Sequence, residues 1–283
     1  MRKKSSTIST IILIIFLLVG LSVMLYPTVS DWWNSKVQTR AVSSYVQTVA
    51  QKDDGEIERM LEEARDYNKR LARLSAPFAE FDELTDYNDI LNLSGTGIMG
   101  YITIPVIRAE FPIYHGTSEE VLNIAAGHLE GSSLPVGGVG THSVISAHRG
   151  LPSARLFTDL DKLVVGDTFT ITILNDVYTY EVEEIFIVLP DQLDKIALVP
   201  EKDYVTLMTC TPYGVNTHRL LVRSHRTDTI LEKEEIRVSP DAVKVDSMII
   251  VPLIAAPLLL ILFIIWFAGG KRKKNYNYED LLY

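Results

Sequence analysis

Two uninterrupted apolar runs bracket the chain. The first, Thr7–Tyr26, reads TISTIILIIFLLVGLSVMLY, and the second, Met248–Phe267, reads MIIVPLIAAPLLLILFIIWF; neither holds a charge. Each matches the roughly 20 residues that a helix needs to cross about 30 Å of hydrocarbon. Neither shows the polar face of a core helix, so both are expected to span a membrane. Pro252 and Pro257 are tolerated in such a helix. A cleaved signal peptide is the alternative for the first run. However, the run exceeds the roughly 7–15 residues of a signal core, and no small-x-small site follows it directly. The stretch from Tyr26 to Trp33 follows instead. Its tryptophans suit a membrane–water interface, and the run reads as an uncleaved anchor.

Between the runs the periodicity changes twice. Val37, Ala41, Val42, Tyr45, Val46 and Val49 recur at helical spacing within residues 35–51. After the polar break at Lys52–Gly55, a second helix is expected over 56–74. Asp54 is its candidate N-cap, and its apolar stripe is Ile57, Met60, Leu61, Ala64, Tyr67, Leu71 and Leu74. Pro77 is expected to end it. From Gly100 the pattern turns to short strands: Gly100–Ile104, Ser143–Ala147, Phe169–Leu174, Val177–Ile187, Val205–Thr209 and Leu220–Ser224. Asn175-Asp176 reads as a two-residue hairpin turn, and Gly131–Gly140 as a surface loop. Short strands with one helical interruption imply a mainly β fold, a closed or nearly closed barrel, behind an N-terminal helical extension.

Charge sets the orientation. Arg2, Lys3 and Lys4 precede the first run, and Lys271–Lys274 follow the second. Basic flanks stay in the cytoplasm, which places both ends inside and the intervening segment outside. The expected organisation is therefore a basic N-terminus (1–6), an anchor (7–26), an extracellular helical extension (27–99) and a barrel (100–226). A linker (227–247), a second anchor (248–267) and a basic tail (268–283) complete it. The net charge of −9 includes both basic ends. The outer segment is more acidic still, which argues against nucleic acid as a partner. No cluster of metal ligands is evident, and no cofactor is expected.

Cys210 is the single cysteine, so an exported domain here has no internal disulfide. It closes the strand pattern Val205–Cys210, and Thr211-Pro212-Tyr213-Gly214 then forces a loop. A thiol with a pKa near 8.5, roughly, needs a neighbouring cation or base to react at neutral pH. Arg219 and Arg223 lie on the strand after that loop, and Arg219, nearer its start, is the closer candidate. Such an arginine can hold an oxyanion by paired N–H bonds. Of the six histidines, His148 stands where a strand meets a turn, as Cys210 does. His142 and His218 are alternatives, and the residue pattern alone leaves several Cys–His pairs open.

Thr206-Leu207-Met208-Thr209-Cys210 followed by Arg219, with Ser146-Ala147-His148 upstream, resembles the sortase family, and the second anchor and helical extension resemble its class C. That resemblance implies a sortase barrel and a cysteine transpeptidase acting on pilin subunits that carry an LPxTG-like sorting signal. Cys210 would be the nucleophile, His148 the acid/base and Arg219 the oxyanion or signal-holding group. It also implies a lid over residues 75–80 carrying Pro77 and Phe78. The class's Asp-Pro-aromatic motif reads Ala76-Pro77-Phe78 here. A wall-anchoring housekeeping sortase has the same triad and usually a single anchor. A non-enzymatic membrane scaffold is the remaining alternative and predicts that Cys210 is dispensable.

Overall fold

The computed structural model describes residues 3–228, Ser94 excepted. The second apolar run and the basic tail lie outside the described residues. Helix α1 spans Lys3–Val49 without a break. The first apolar run and the first predicted helix are therefore continuous, because between them only Pro27 removes a backbone donor. Within Ile12–Val49, α1 is long and apolar enough to cross a membrane.

From Ser30 on, the described residues belong to one compact unit. There α1 packs through Val42, Tyr45 and Val49. The Tyr45 hydroxyl donates to the Met99 carbonyl (3.0 Å) and accepts from Leu174 N–H (2.8 Å), tying α1 to a strand and a turn of the barrel. Helix α2, Asp54–Leu71, buries Ile57, Leu61, Ala64, Tyr67 and Leu71 of the expected stripe, while Met60 is only partly buried and Leu74, also partly buried, lies beyond the helix end. Its cap is Asp53 rather than Asp54: the Asp53 carboxylate accepts from Glu56 N–H at 2.9 Å. Pro77 does not end α2, which stops at Leu71. It opens the one-turn helix α3, Pro77–Glu80, at a first-turn position where its missing donor costs nothing.

The barrel has eight strands: β1 Ile98–Ile104, β2 Ala109–His115, β3 Ala126–His128, β4 Thr141–Ser146, β5 Thr168–Ile173, β6 Asp176–Val188, β7 Asp203–Thr211 and β8 His218–Arg226. They close in the order β1-β2-β3-β4-β7-β8-β6-β5. The pairs β2/β3 and β4/β7 are parallel and the remaining neighbours antiparallel. Closure leaves no sheet edge. The alternation along β7 and β8 turns Val205, Leu207, Leu220 and Val222 into the main core.

Strands β2 and β3 escape the period-2 signal, since β2 carries Pro112 mid-strand and β3 has three residues. The β5–β6 turn is Leu174-Asn175, one residue earlier than Asn175-Asp176. Ile173 pairs with Asp176, and Leu174 takes the left-handed conformation (φ 54°). Residues 131–136 of the predicted surface loop are buried. The Leu134 backbone is satisfied from α2, as Asn68 donates to its carbonyl (3.0 Å) and accepts from its N–H (2.7 Å). A side-chain amide here replaces a strand partner for a buried backbone.

Candidate active site

Parallel β4 and β7 end side by side, with Ser146 paired to Met208. Two further ties extend the junction: Ala147 N–H donates to the Met208 carbonyl (3.2 Å), and Thr209 Oγ1 donates to the Ala147 carbonyl (2.8 Å). Counted on from that register, His148 falls level with Cys210. On the other side Cys210 pairs directly with Arg219 across antiparallel β7/β8. Residues so paired share a face with Cβ atoms about 4.5–5.5 Å apart. The fold thus brings Cys210, His148 and Arg219 to one end of three adjacent segments.

Cys210 is free and half-buried. Among the described residues the Arg219 guanidinium donates only to backbone carbonyls, those of His218 (3.2 Å) and Asn216 (3.4 Å). Among the described residues it has no carboxylate partner, so its charge is available to a ligand. His148 is also half-buried. Desolvation holds its pKa below the ordinary histidine value, partly opposed by the Glu119 carboxylate.

The other candidates are occupied. His142 is 1% exposed. Its Nδ1 donates to the Ala197 carbonyl (2.8 Å) and its Nε2 accepts from the Thr206 hydroxyl (2.7 Å). Burial pushes its pKa down to about 4, so the ring is neutral. Arg223 is engaged by Glu184 and lies over the Tyr204 (4.9 Å) and Phe186 (5.1 Å) rings. His218 faces its neighbour Thr217, Nδ1 to Oγ1 at 2.9 Å.

The outward face of β7 carries Thr206, Met208 and Cys210 in alternation. Met208 joins Val144, Val188, Ile196 and Leu221 in a second apolar cluster, and Phe78 packs against that cluster. Pro77 and Phe78 therefore lie on the outer barrel wall, on the strand face that bears the thiol. A cavity of about 250 Å³ remains between them and the wall, reaching Gly131, His142 and Ile196. Gly131 makes the approach feasible: it has φ +83°, and a Cβ there would stand 2.8 Å from both Phe78 Cα and the Pro77 carbonyl oxygen. Ala76, at the N-cap of α3, supplies no side-chain bond; its N–H is instead capped by Glu80 at 3.2 Å. Gly131 was not foreseen as part of this contact, because the two segments meet only through the fold.

The Sortase domain family model matches residues 102–227. The chain is similar to the sortase C1 crystal structure from Streptococcus agalactiae, with 51% identity and a TM-score of 0.62, covering 67% of this chain and 98% of that one. It is also similar to sortase C of Streptococcus pneumoniae, with 42% identity and a TM-score of 0.61, covering 67% and 97%; that structure was reported for catalysis and pilin substrate specificity. A curated relative, a sortase A of Streptococcus agalactiae serotype III, is 31% identical over 135 residues. That match takes in 47% of this chain, and the chain spans about half the length (54%) of that relative. With near-complete coverage of solved class C enzymes at these identities, the chain belongs to the sortase family of cysteine transpeptidases, in its class C branch.

Proposed function

We propose that this chain polymerises pilin subunits by joining the sorting signal of one to a lysine of the next. The observation that carries the reading is the direct pairing of Cys210 with a carboxylate-free Arg219 at the end of β7. The Cys210 thiolate attacks the threonine carbonyl carbon of an LPxTG-like signal, and Arg219 holds the resulting oxyanion. His148 gives its proton to the departing glycine amine as the Thr–Gly bond breaks, which leaves a thioacyl enzyme. The lysine amine then attacks the thioacyl carbon and loses a proton to His148. An isopeptide bond forms and the thiolate departs.

In this reading the catalytic domain lies outside the membrane, held by the N-terminal anchor and a second span at 248–267, with both termini cytoplasmic. The test is mass spectrometry of the product formed from a pilin tail and a pilin domain bearing lysines. A threonyl–lysine isopeptide is expected. Transfer only to a peptidoglycan amine would instead indicate a wall-anchoring sortase.

Pro77 and Phe78 act in this reading as a lid on the signal's path. The Phe78 ring occupies apolar wall that a signal peptide would use, so the closed form lowers apparent affinity by the open fraction. Phe78→Ala is expected to speed alkylation of Cys210 by iodoacetamide. A rise of several-fold is the order of magnitude for removing a partly buried aromatic, since about 1.4 kcal/mol is a factor of ten in the closing equilibrium. Equal rates in the folded mutant and wild type would reduce Phe78 to a packing residue.

A further inference from the structure

We infer that Arg149 is a positioning residue of the reaction, one that fixes the spacing between the His148 loop and the end of β7. The inference rests on the assignment of Cys210 and His148 above. The segments bearing them are pinned just before the reacting pair, by the Ala147–Met208 and Thr209–Ala147 bonds. Past Ser146 the β4/β7 ladder ends. The next tie lies just beyond the pair: Arg149 Nη1 donates to the Thr211 hydroxyl at 3.3 Å. Arg149 directly follows His148, and Thr211 directly follows Cys210. One guanidinium thus brackets the two reacting groups from the far side.

The same guanidinium is anchored behind. Its Nη2 pairs with Asp161, in the turn that follows the loop. That turn also holds the loop's backbone: Phe157 N–H donates to the His148 carbonyl (3.2 Å), and Gly150 N–H donates to the Thr158 hydroxyl (3.1 Å). On the other flank Gly150 (φ +79°) lies against Tyr213, where an added Cβ would stand 2.9 Å from the ring. The Arg149 side chain is 10% exposed, and its Nε is buried without a partner among the described residues. A buried guanidinium is a costly way merely to hold a surface turn. Asp161 alone would satisfy that role at the surface, whereas the reach to Thr211 requires the inward placement and the fork geometry that lysine lacks.

The test uses the full chain in detergent and a fluorogenic LPxTG peptide, with steady-state kinetics of R149A, R149K and T211V. A displacement of about 1 Å can cost on the order of 100-fold in turnover. R149A and R149K are both expected to lose at least about tenfold in kcat, with KM held within about twofold, because geometry rather than ground-state binding is altered. T211V should lower kcat in the wild-type background and add nothing in R149A, since both remove one tie. Rescue by R149K would reassign Arg149 to a charge effect and overturn the proposal. So would an unimpaired R149A, or effects of R149A and T211V that multiply. If R149A fails to fold, the near-isosteric T211V decides, and an unchanged kcat there overturns the proposal. C210A is assayed alongside: peptide cleavage by C210A would sink the site assignment and this inference together. A dead C210A beside an active R149A sinks this inference alone.

Discussion

Replacing Cys210 with alanine is expected to leave a folded, membrane-inserted protein that links no pilins. The side chain is half-buried at a strand end and belongs to neither apolar cluster, so removing its sulfur opens no core cavity. The stability cost is therefore expected to be small, while the chemical cost is total. Without the thiol there is no acyl acceptor, and loss of a covalent nucleophile typically costs on the order of 10⁴–10⁶ in turnover. The measurement is the high-mass pilin ladder on a denaturing gel of wall extracts, in a background lacking any other sortase. A normal ladder from the mutant would refute the enzymatic reading and revive the scaffold alternative.

The second large effect concerns the partners of the thiol. His148→Ala is expected to lower turnover by roughly 10²–10⁴, the usual contribution of a positioned acid/base. Arg219→Ala is expected to lower it by roughly 10²–10³, as for loss of an oxyanion donor. The controls are the two residues that sequence pattern could confuse with them. His142→Ala deprives the Ala197 carbonyl and the Thr206 hydroxyl of a partner. It should cost about 1–3 kcal/mol of stability, the penalty for a buried polar group left unpaired, with little change in turnover per folded molecule. Arg223→Ala loses Glu184 and two aromatic faces and should behave in the same way. Peptide cleavage normalised to folded protein separates the pairs. An inactive, folded His142→Ala beside an active His148→Ala would reverse the assignment.

These contrasts show which features local pattern could carry. The apolar stripe of α2 was legible because a 3.6-residue period survives in sequence whatever it packs against. The longer strands were legible by alternation, and Cys210 by its place at a strand end before a proline. Strand β3 was not legible: three residues held between β2 and β4 hold no period. The shift to Asp53 arises because neighbouring acidic residues can cap a helix almost equally well, whereas the turn at Leu174-Asn175 is set by the β5/β6 register, which places a leucine in the left-handed conformation that local preference would not assign it.

The sequence by itself determined the apolar N-terminal helix, the helical stripe, most strands and the motif around the single cysteine. All of these are written in residues close together along the chain. Strand order already favoured Arg219 over Arg223 as the nearer arginine, and only the tertiary structure fixed the direct pairing of Cys210 with Arg219, since that is a matter of register across β7/β8. Barrel closure likewise separated the two histidines, carrying His148 past the end of β4 and sealing the His142 ring between Ala197 and Thr206. The fold also brought Phe78 against Gly131, and Arg149 against Thr211 and Asp161. The physical reason is the same in each case. Periodicity and turn chemistry act over a few residues, whereas parallel pairing of β4 with β7 joins segments some sixty residues apart. Their meeting depends on the whole barrel closing, which no local window encodes.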